Sequence, residues 1–333
     1  MSEVPAAGAS GTRAPGTGAA GLAPTTVMEL PVPPPLVSAY AGNLSVPRIF
    51  EAHRAAGFCV RAGDIASGDA AAVRAQHGLT GDPAWTPQHN SADAFHVLRF
   101  YASWPGAFVV PFGGSTPEGA ERMGTSRVYP EPFLGTGYTA FAPRAVPQYW
   151  LPLTELPLGT ELWRIGADGS QQPVAAYLGR YTGWQPQPGV EPFGPQPWQS
   201  TPQALRTAVR RGLRAVYQGG DFDADFGPEP GRITLYRSGT AGEAVQSRAV
   251  LDAHCDAVRY VRLLCTWHGA RFEAIDAAPD SVTLNYLGEN HLEAGSLGLT
   301  EVGYRVWRTT VPRAEVSEYA EETLEVGVQA HFG

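Results

Sequence analysis

The sequence contains no lysine: all 24 basic residues of the 333-residue chain are arginine. That absence excludes Schiff-base catalysis on a lysine amine and a lysine-bearing phosphate loop of the Walker type. Lysine is among the commonest residues of globular proteins, so its complete loss has a cause. A GC-biased bacterial genome supplies one and also favours the Ala, Gly, Pro and Arg found here; selection against a modifiable amine is the other. Cysteine is scarce too, and Cys59, Cys255 and Cys265 form an odd set that predicts reduced thiols in a cytoplasmic protein, not a disulfide framework. No apolar run reaches the roughly 18 residues of a membrane-spanning helix, and no secretory signal pattern is visible. Charged residues make up only 17% and the net charge is -8, which argues against a nucleic-acid partner because phosphate contacts need accumulated cations.

What is present reads as α+β: two domains, each a mostly antiparallel sheet with a few short helices, after a disordered N-terminal leader. Residues 1–36 are rich in Ala, Gly, Pro and Thr, carry almost no charge and have no period, so they are expected to be that leader. Residues 37–184 form the first domain. "VPRIFEAHRAAGF" places Ile49, Phe50, Ala55 and Phe58 near helical spacing, and "DAAAVRAQHG" reads as a helix capped by Asp69 and ended by Gly78. "AFHVLRFYA", "GAFVVPF", "YTAFA" and "QYWLPL" then read as strands, and Asp168-Gly169 sits between two β-type runs as a hairpin turn.

Residues 185–201 are a proline-rich linker and residues 202–333 the second domain. Its start, with Leu205, Ala208, Val209, Leu213 and Val216, reads as a helix ended by Gly219. "RITLYR" follows as a strand, "AVQSRAVLDAHCDAVRY" as a helix, and "VRLLCTW", "RFEAID" and "DSVTLNYLG" as strands, with a tight turn at His268-Gly269. "NHLEAGSLGL" is a short helix, "YRVWRTTV" a strand, and "RAEVSEYAEETLEV" an acidic helix or frayed tail. No internal repeat stands out.

Between the first helix and strand of this domain lies "GGDFDADFGPEPG", whose Asp221, Asp223 and Asp225 alternate as the oxygen ligands of a calcium or magnesium loop do, with Glu229 as a further ligand. Phe226 and Arg232 occupy the places where an EF-hand needs Gly and Glu, so the specific motif is absent. The competing reading is an acidic turn that neutralises Arg206, Arg210, Arg211 and Arg214 on the preceding helix. His254, Cys255, Cys265 and His268 are the nearest approach to a zinc set, although adjacent His254 and Cys255 point apart. Cysteine–histidine catalysis is formally possible with Cys59 and a histidine such as His96, although nothing in their spacing points to it.

Arg237 on a strand, Ser281 and Thr283 on a later strand, and Glu322 with Glu325 near the end follow an order that loosely resembles ADP-ribosyltransferases. The resemblance implies NAD as cofactor, with Arg237 gripping its phosphates and Glu322 stabilising the oxocarbenium-like transition state. Ser281-Val282-Thr283 and Glu322-Thr323-Leu324-Glu325 both depart from the family's triplet and Glu-x-Glu. The leading expectation is instead a non-catalytic module that binds another protein. It rests on aromatics in proline-flanked loops, namely Trp85, Trp104, Trp184, Phe193 and Trp198.

Overall fold

The computed structural model describes residues 22–32, 53–79, 94–114, 116–123, 135–139, 142–187, 211–237, 245–288, 290–303 and 306–326, with Val37, Tyr129, Phe133 and Val209 besides. Among these the chain is mostly antiparallel β-sheet, in two sheets with few short helices. No helix among the described residues is long and apolar enough to cross a membrane.

The first sheet contains β1 (Val27–Pro31), β2 (Arg54–Arg61), β3 (Ala94–Tyr101), β4 (Tyr149–Glu155), β5 (Glu161–Gly166), β6 (Gln171–Tyr177) and β7 (Trp184–Pro186), in the order β4-β2-β1-β3-β5-β6-β7. β3 shows why a period of two suits a strand buried on both faces. Phe95 and Val97 pack with Ile165 under Ala70 and Val73 of helix α1 (Ala70–Gln76), while Leu98 and Phe100 enter the core of the opposite face. As expected, Asp69 caps α1, accepting from the N–H of Ala72 at 2.8 Å.

Three expectations for this half are corrected, and the first is the strand expected at "GAFVVPF", which instead holds the end of a 3₁₀ turn (Pro105–Ala107) and a single bridge from Val109 to Trp150. β1 lies inside the stretch read as leader, pairing with β2 and β3, and Met28 is fully buried. Its pattern is too short to register as a period, yet Met28 and Leu30 fill one face. The helix expected through Ala55 and Phe58 is instead β2, whose Gly57 has φ 148 beside β4, a conformation no helix accommodates. Residues 188–208, most of the expected linker, lie outside the described residues; Gln185 and Pro186 belong to β7.

The second sheet comprises β8 (Gly212–Tyr217), β9 (Gly220–Phe226), β10 (Arg232–Arg237), β11 (Gln246–Leu251), β12 (Ala257–Trp267), β13 (Ala270–Ala277), β14 (Ser281–Tyr286), β15 (Thr300–Gly303), β16 (Val306–Pro312) and β17 (Ser317–Glu325). Two stretches expected as helix, and one expected as helix or frayed tail, are strands here: 212–217 is β8, the stretch through Val250 and Val258 is β11 and β12 joined by a 3₁₀ turn, and 317–325 is β17. Each has a long-range strand partner whose backbone bonds override local helix preference. The helix expected at "NHLEAGSLGL" is present as His291–Ser296, capped by Asn290.

This sheet contains an internal repeat. The hairpin Tyr217-Gln218-Gly219-Gly220 returns as Trp267-His268-Gly269-Ala270, with φ 51 and 76 at Gln218 and Gly219 against 48 and 77 at His268 and Gly269. Leu235 sits opposite Ala224 and Arg248, as Leu284 sits opposite Ala274 and Thr309. A 3₁₀ turn then follows each outer strand, at Asp252–His254 and Arg313–Glu315, and delivers buried Cys255 and Val316 respectively. The last strand of each copy pairs with its first, Ala257 opposite Val216 and Ser317 opposite Thr266. β12 is thus the last strand of the first copy and the first strand of the second.

Because β17 runs along β12 from Arg259 to Thr266, β8 and β13 share the other edge of β12 in succession. The two arms therefore part, and each keeps its own core: Leu213, Ala215, Ala224 and Ile233 in one, Phe272, Ala274, Val282 and Leu284 in the other. Phe272 is wholly buried, and its truncation to Ala would cost about 3–5 kcal/mol.

Candidate functional site

Where the two sheets meet, the chain buries a group of charges. Arg54 of β2 donates through Nη2 to both carboxylate oxygens of Glu273 on β13, at 2.9 Å each, and to the Tyr260 hydroxyl on β12 at 2.9 Å. Beside it Arg180, just beyond β6, reaches Glu155 through Nη2 at 2.6 Å and Asp225 through Nε at 3.1 Å. Asp225 also accepts from the Arg180 backbone N–H at 2.9 Å and the Tyr236 hydroxyl at 2.8 Å. Glu155 receives the backbone N–H of Leu213 at 2.9 Å. Gly212 has φ 95, and a Cβ there would collide with the Glu155 carboxylate, so only glycine lets β8 approach β4 this closely.

The electrostatics follow from this enclosure. Burial, with the neighbouring Asp225 charge, raises the Glu155 carboxyl above its usual range although Arg180 pulls it down. Burial, reinforced by Arg211, Arg54 and Arg180, holds His53 neutral well below the usual imidazole value. Arg211 is lowered to about 10 by burial and by Arg54. Arg54 and Arg180 go the other way, because Glu273 and Glu155 respectively outweigh the burial cost. Arg54 and Arg180 each carry hydrogen bonds to carboxylates from one sheet to the other, an arrangement that locks one sheet on the other.

The alternating aspartates lie on strand β9 and not in a loop. Arg214, opposite Asp223 in register, contacts Asp221 at 3.1 Å and Asp223 at 2.5 Å, and Tyr181 donates to Asp223 at 2.9 Å. Asp225 is consumed by Arg180 and Tyr236. The acidic stretch is thus neutralised by arginine, as one reading expects, but through strands: Arg214 is on β8, and Arg206 and Arg210 lie outside the described residues. No group of three or more His, Cys, Asp or Glu among the described residues is placed to hold a metal ion.

Arg237 is exposed at the end of β10, Ser281 opens β14, and Glu322 on β17 is ion-paired with Arg262. β10 is reached from β12 through β8 and β9, and β14 through β13, so strand pairing places the three residues on separate arms or edges. Cys255 and Cys265 belong to the two different arm cores, and burial pushes both thiols up to about 11. Cys59 is buried in the first sheet's core, where burial raises its thiol. Of the aromatics expected at a binding surface, Trp184 is buried, and half-buried Trp104 packs on Tyr260 and Phe226 at 5.7 and 6.5 Å between ring centres. Trp85, Phe193 and Trp198 lie outside the described residues.

A different set is exposed. Phe112, Met123 and Tyr138, at 57%, 48% and 47% exposure, are three of the four most exposed large apolar side chains among the described residues. All three lie in the connection between β3 and β4, which holds the short helix α2 (Pro117–Arg122). The Gly135–Gly137 turn gathers them: a Cβ on Gly135 would strike the Gly113 carbonyl and lie 3.3 Å from Met123 Cγ, and one on Gly137 would lie 3.5 Å from the Pro111 oxygen. Tyr129 and Phe133 of the same connection form an aromatic cluster with Phe58 and Trp150, with Phe58 stacked on Phe133 at 5.8 Å. Val109 and Trp150 exchange backbone hydrogen bonds at 2.8 and 2.7 Å and fasten the connection to β4. The signal in the sequence was large apolar residues inside glycine-rich turns, at "PFGG" and "GTGY".

Comparison with protein-family models, with curated proteins and with solved structures found no match.

Proposed function

We propose that the chain is a non-catalytic protein-binding module and that Phe112, Met123 and Tyr138 form its contact surface. The observation that carries this reading is their joint exposure on a connection that Tyr129, Phe133 and Val109 fasten to Phe58 and Trp150. Aromatic and methionine side chains are enriched where proteins meet, and a preformed surface loses little entropy on binding. The buried ion pairs Arg54–Glu273 and Arg180–Glu155 serve this role by fixing the framework.

Site-specific photo-crosslinking in the native cell tests the proposal. A benzophenone side chain at position 112 should form a discrete covalent adduct with another protein. The same group at Leu292, exposed at 64% on a different element, should not. Identical adduct patterns from both positions, or none from 112, would sink the proposal.

A further inference from the structure

β17 is the counterpart of β12 in the internal repeat, yet the two strands are differently covered. β12 carries a strand on each edge, and its Val258 and Tyr260 are buried, the latter beneath Arg54 and Trp104. Among the described residues β17 pairs only with β12, and only Glu322 and Leu324 of its nine residues are even half-buried. The Val326 N–H donates to the Val258 carbonyl at 2.9 Å. Backbone direction alternates along an antiparallel ladder, so the N–H groups of Thr323 and Glu325 point away from β12.

The charges on this strand say what fits beside it. β17 carries Glu318, Glu321, Glu322 and Glu325, and the strand it already pairs with answers with arginine: Arg262 stands opposite Glu322 and ion-pairs with it, and Arg259 stands opposite Glu325. A second copy of β17 laid on this edge would set glutamates against glutamates, which is unfavourable across strands. Acidic side chains on an edge discourage indiscriminate pairing while leaving a basic strand welcome.

We propose that β17 is a docking strand, whose outer edge takes an extended Arg- or Lys-bearing segment of a partner protein as the next antiparallel strand. The added strand stands to β17 as β17 stands to β12. Main-chain hydrogen bonds give the affinity and the glutamates select the charge. The inference rests on the reading of the chain as a protein-binding module but not on the Phe112 surface.

The test uses the full chain and a blocked, fluorescently labelled peptide of alternating Arg and Val, read by anisotropy. Saturable binding is expected that weakens as salt rises. Binding should fall about tenfold or more in Thr323→Pro, which removes an outward donor and no bond to β12. The same peptide N-methylated at alternate amides should also bind at least about tenfold more weakly, which needs no change to the protein. An alternating Glu and Val peptide should not bind. Equal affinity for the N-methylated peptide, or for Thr323→Pro once its unfolding midpoint matches the parent, would overturn the proposal. So would a dimer of the full chain that Thr323→Pro dissolves, since a second copy would then be the occupant. Phe112→Ser should leave peptide binding intact, which separates this test from that of the Phe112 surface.

Discussion

Arg54 of the first sheet grips both carboxylate oxygens of Glu273 in the second, at 2.9 Å each, with 3% and 1% of the two side chains exposed. Removing one member leaves the other charged, buried and without its counterion, at a cost of about 3–5 kcal/mol. Glu273→Gln should therefore lower the urea midpoint strongly. The double change Arg54→Met with Glu273→Leu should recover much of that loss. A double variant no more stable than Glu273→Gln would mean that the pair contributes specific packing beyond its charge.

The approach of β8 to β4 depends on Gly212. Gly212→Ala must hold an L-residue at φ 95 and displace the Glu155 carboxylate from the Leu213 N–H, so a loss of roughly 1–3 kcal/mol is expected by thermal unfolding. A neutral effect would show that Glu155 reorients freely.

Acid should weaken the fold before the carboxylates titrate. Burial keeps His53 well below 6.5 and lowers His96 to about 4, so below pH 6.5 the unfolded chain takes up protons that the folded chain refuses. Stability from these groups is intact above pH 6.5 and is lost as pH falls, by about 1.4 kcal/mol per pH unit for each proton. Glu155 works in the opposite sense: its carboxyl is raised above 4.5, so its contribution falls as pH rises through that window. Urea midpoints between pH 7 and pH 5 should decline, and His53→Gln should remove about one proton from the slope. An unchanged slope in His53→Gln would contradict the assignment.

The two repeat turns should respond alike. Gln218 and His268 hold φ 51 and 48, which asparagine tolerates better, and the Cβ positions of Gly219 and Gly269 meet nothing within 4 Å. Gln218→Asn and His268→Asn should each stabilise slightly. Gly219→Ala and Gly269→Ala should each cost about 1–2 kcal/mol, from backbone strain alone. Unequal glycine costs would mean the turns are not equivalent.

Much of this architecture was legible in the sequence. β3, the β5–β6 hairpin at Asp168-Gly169, the strands either side of His268-Gly269 and the capped helices follow from period and turn chemistry. The misread strands of the second sheet share one cause. "GLRAVY" offers Leu213 and Val216 at helical spacing, and "EYAEETLE" is made of good helix formers, but each finds a distant strand: β12 supplies Arg259 and Arg262 opposite Glu325 and Glu322. The repeat escaped notice because it lives in strand register and turn conformation, with matches as unlike as Arg248 and Thr309. For the site, the alternation of Asp221, Asp223 and Asp225 and the nearby Arg214 were visible, but Arg180 and Tyr236, the partners of Asp225, come from a separate turn and strand. Exposure of Phe112 cannot be told from burial of Trp184 by composition, since both are aromatics near glycine and proline.

The most direct measurement for the central claim is the affinity of the partner recovered by cross-linking at position 112, compared between the parent chain and Phe112→Ser/Met123→Ser. Both side chains are exposed, so the unfolding midpoint should stay within about 0.5 kcal/mol of the parent. Affinity should fall by about 2 kcal/mol or more, the loss expected when anchoring side chains are removed. Undiminished affinity in the folded double variant would contradict the claim that this surface does the binding.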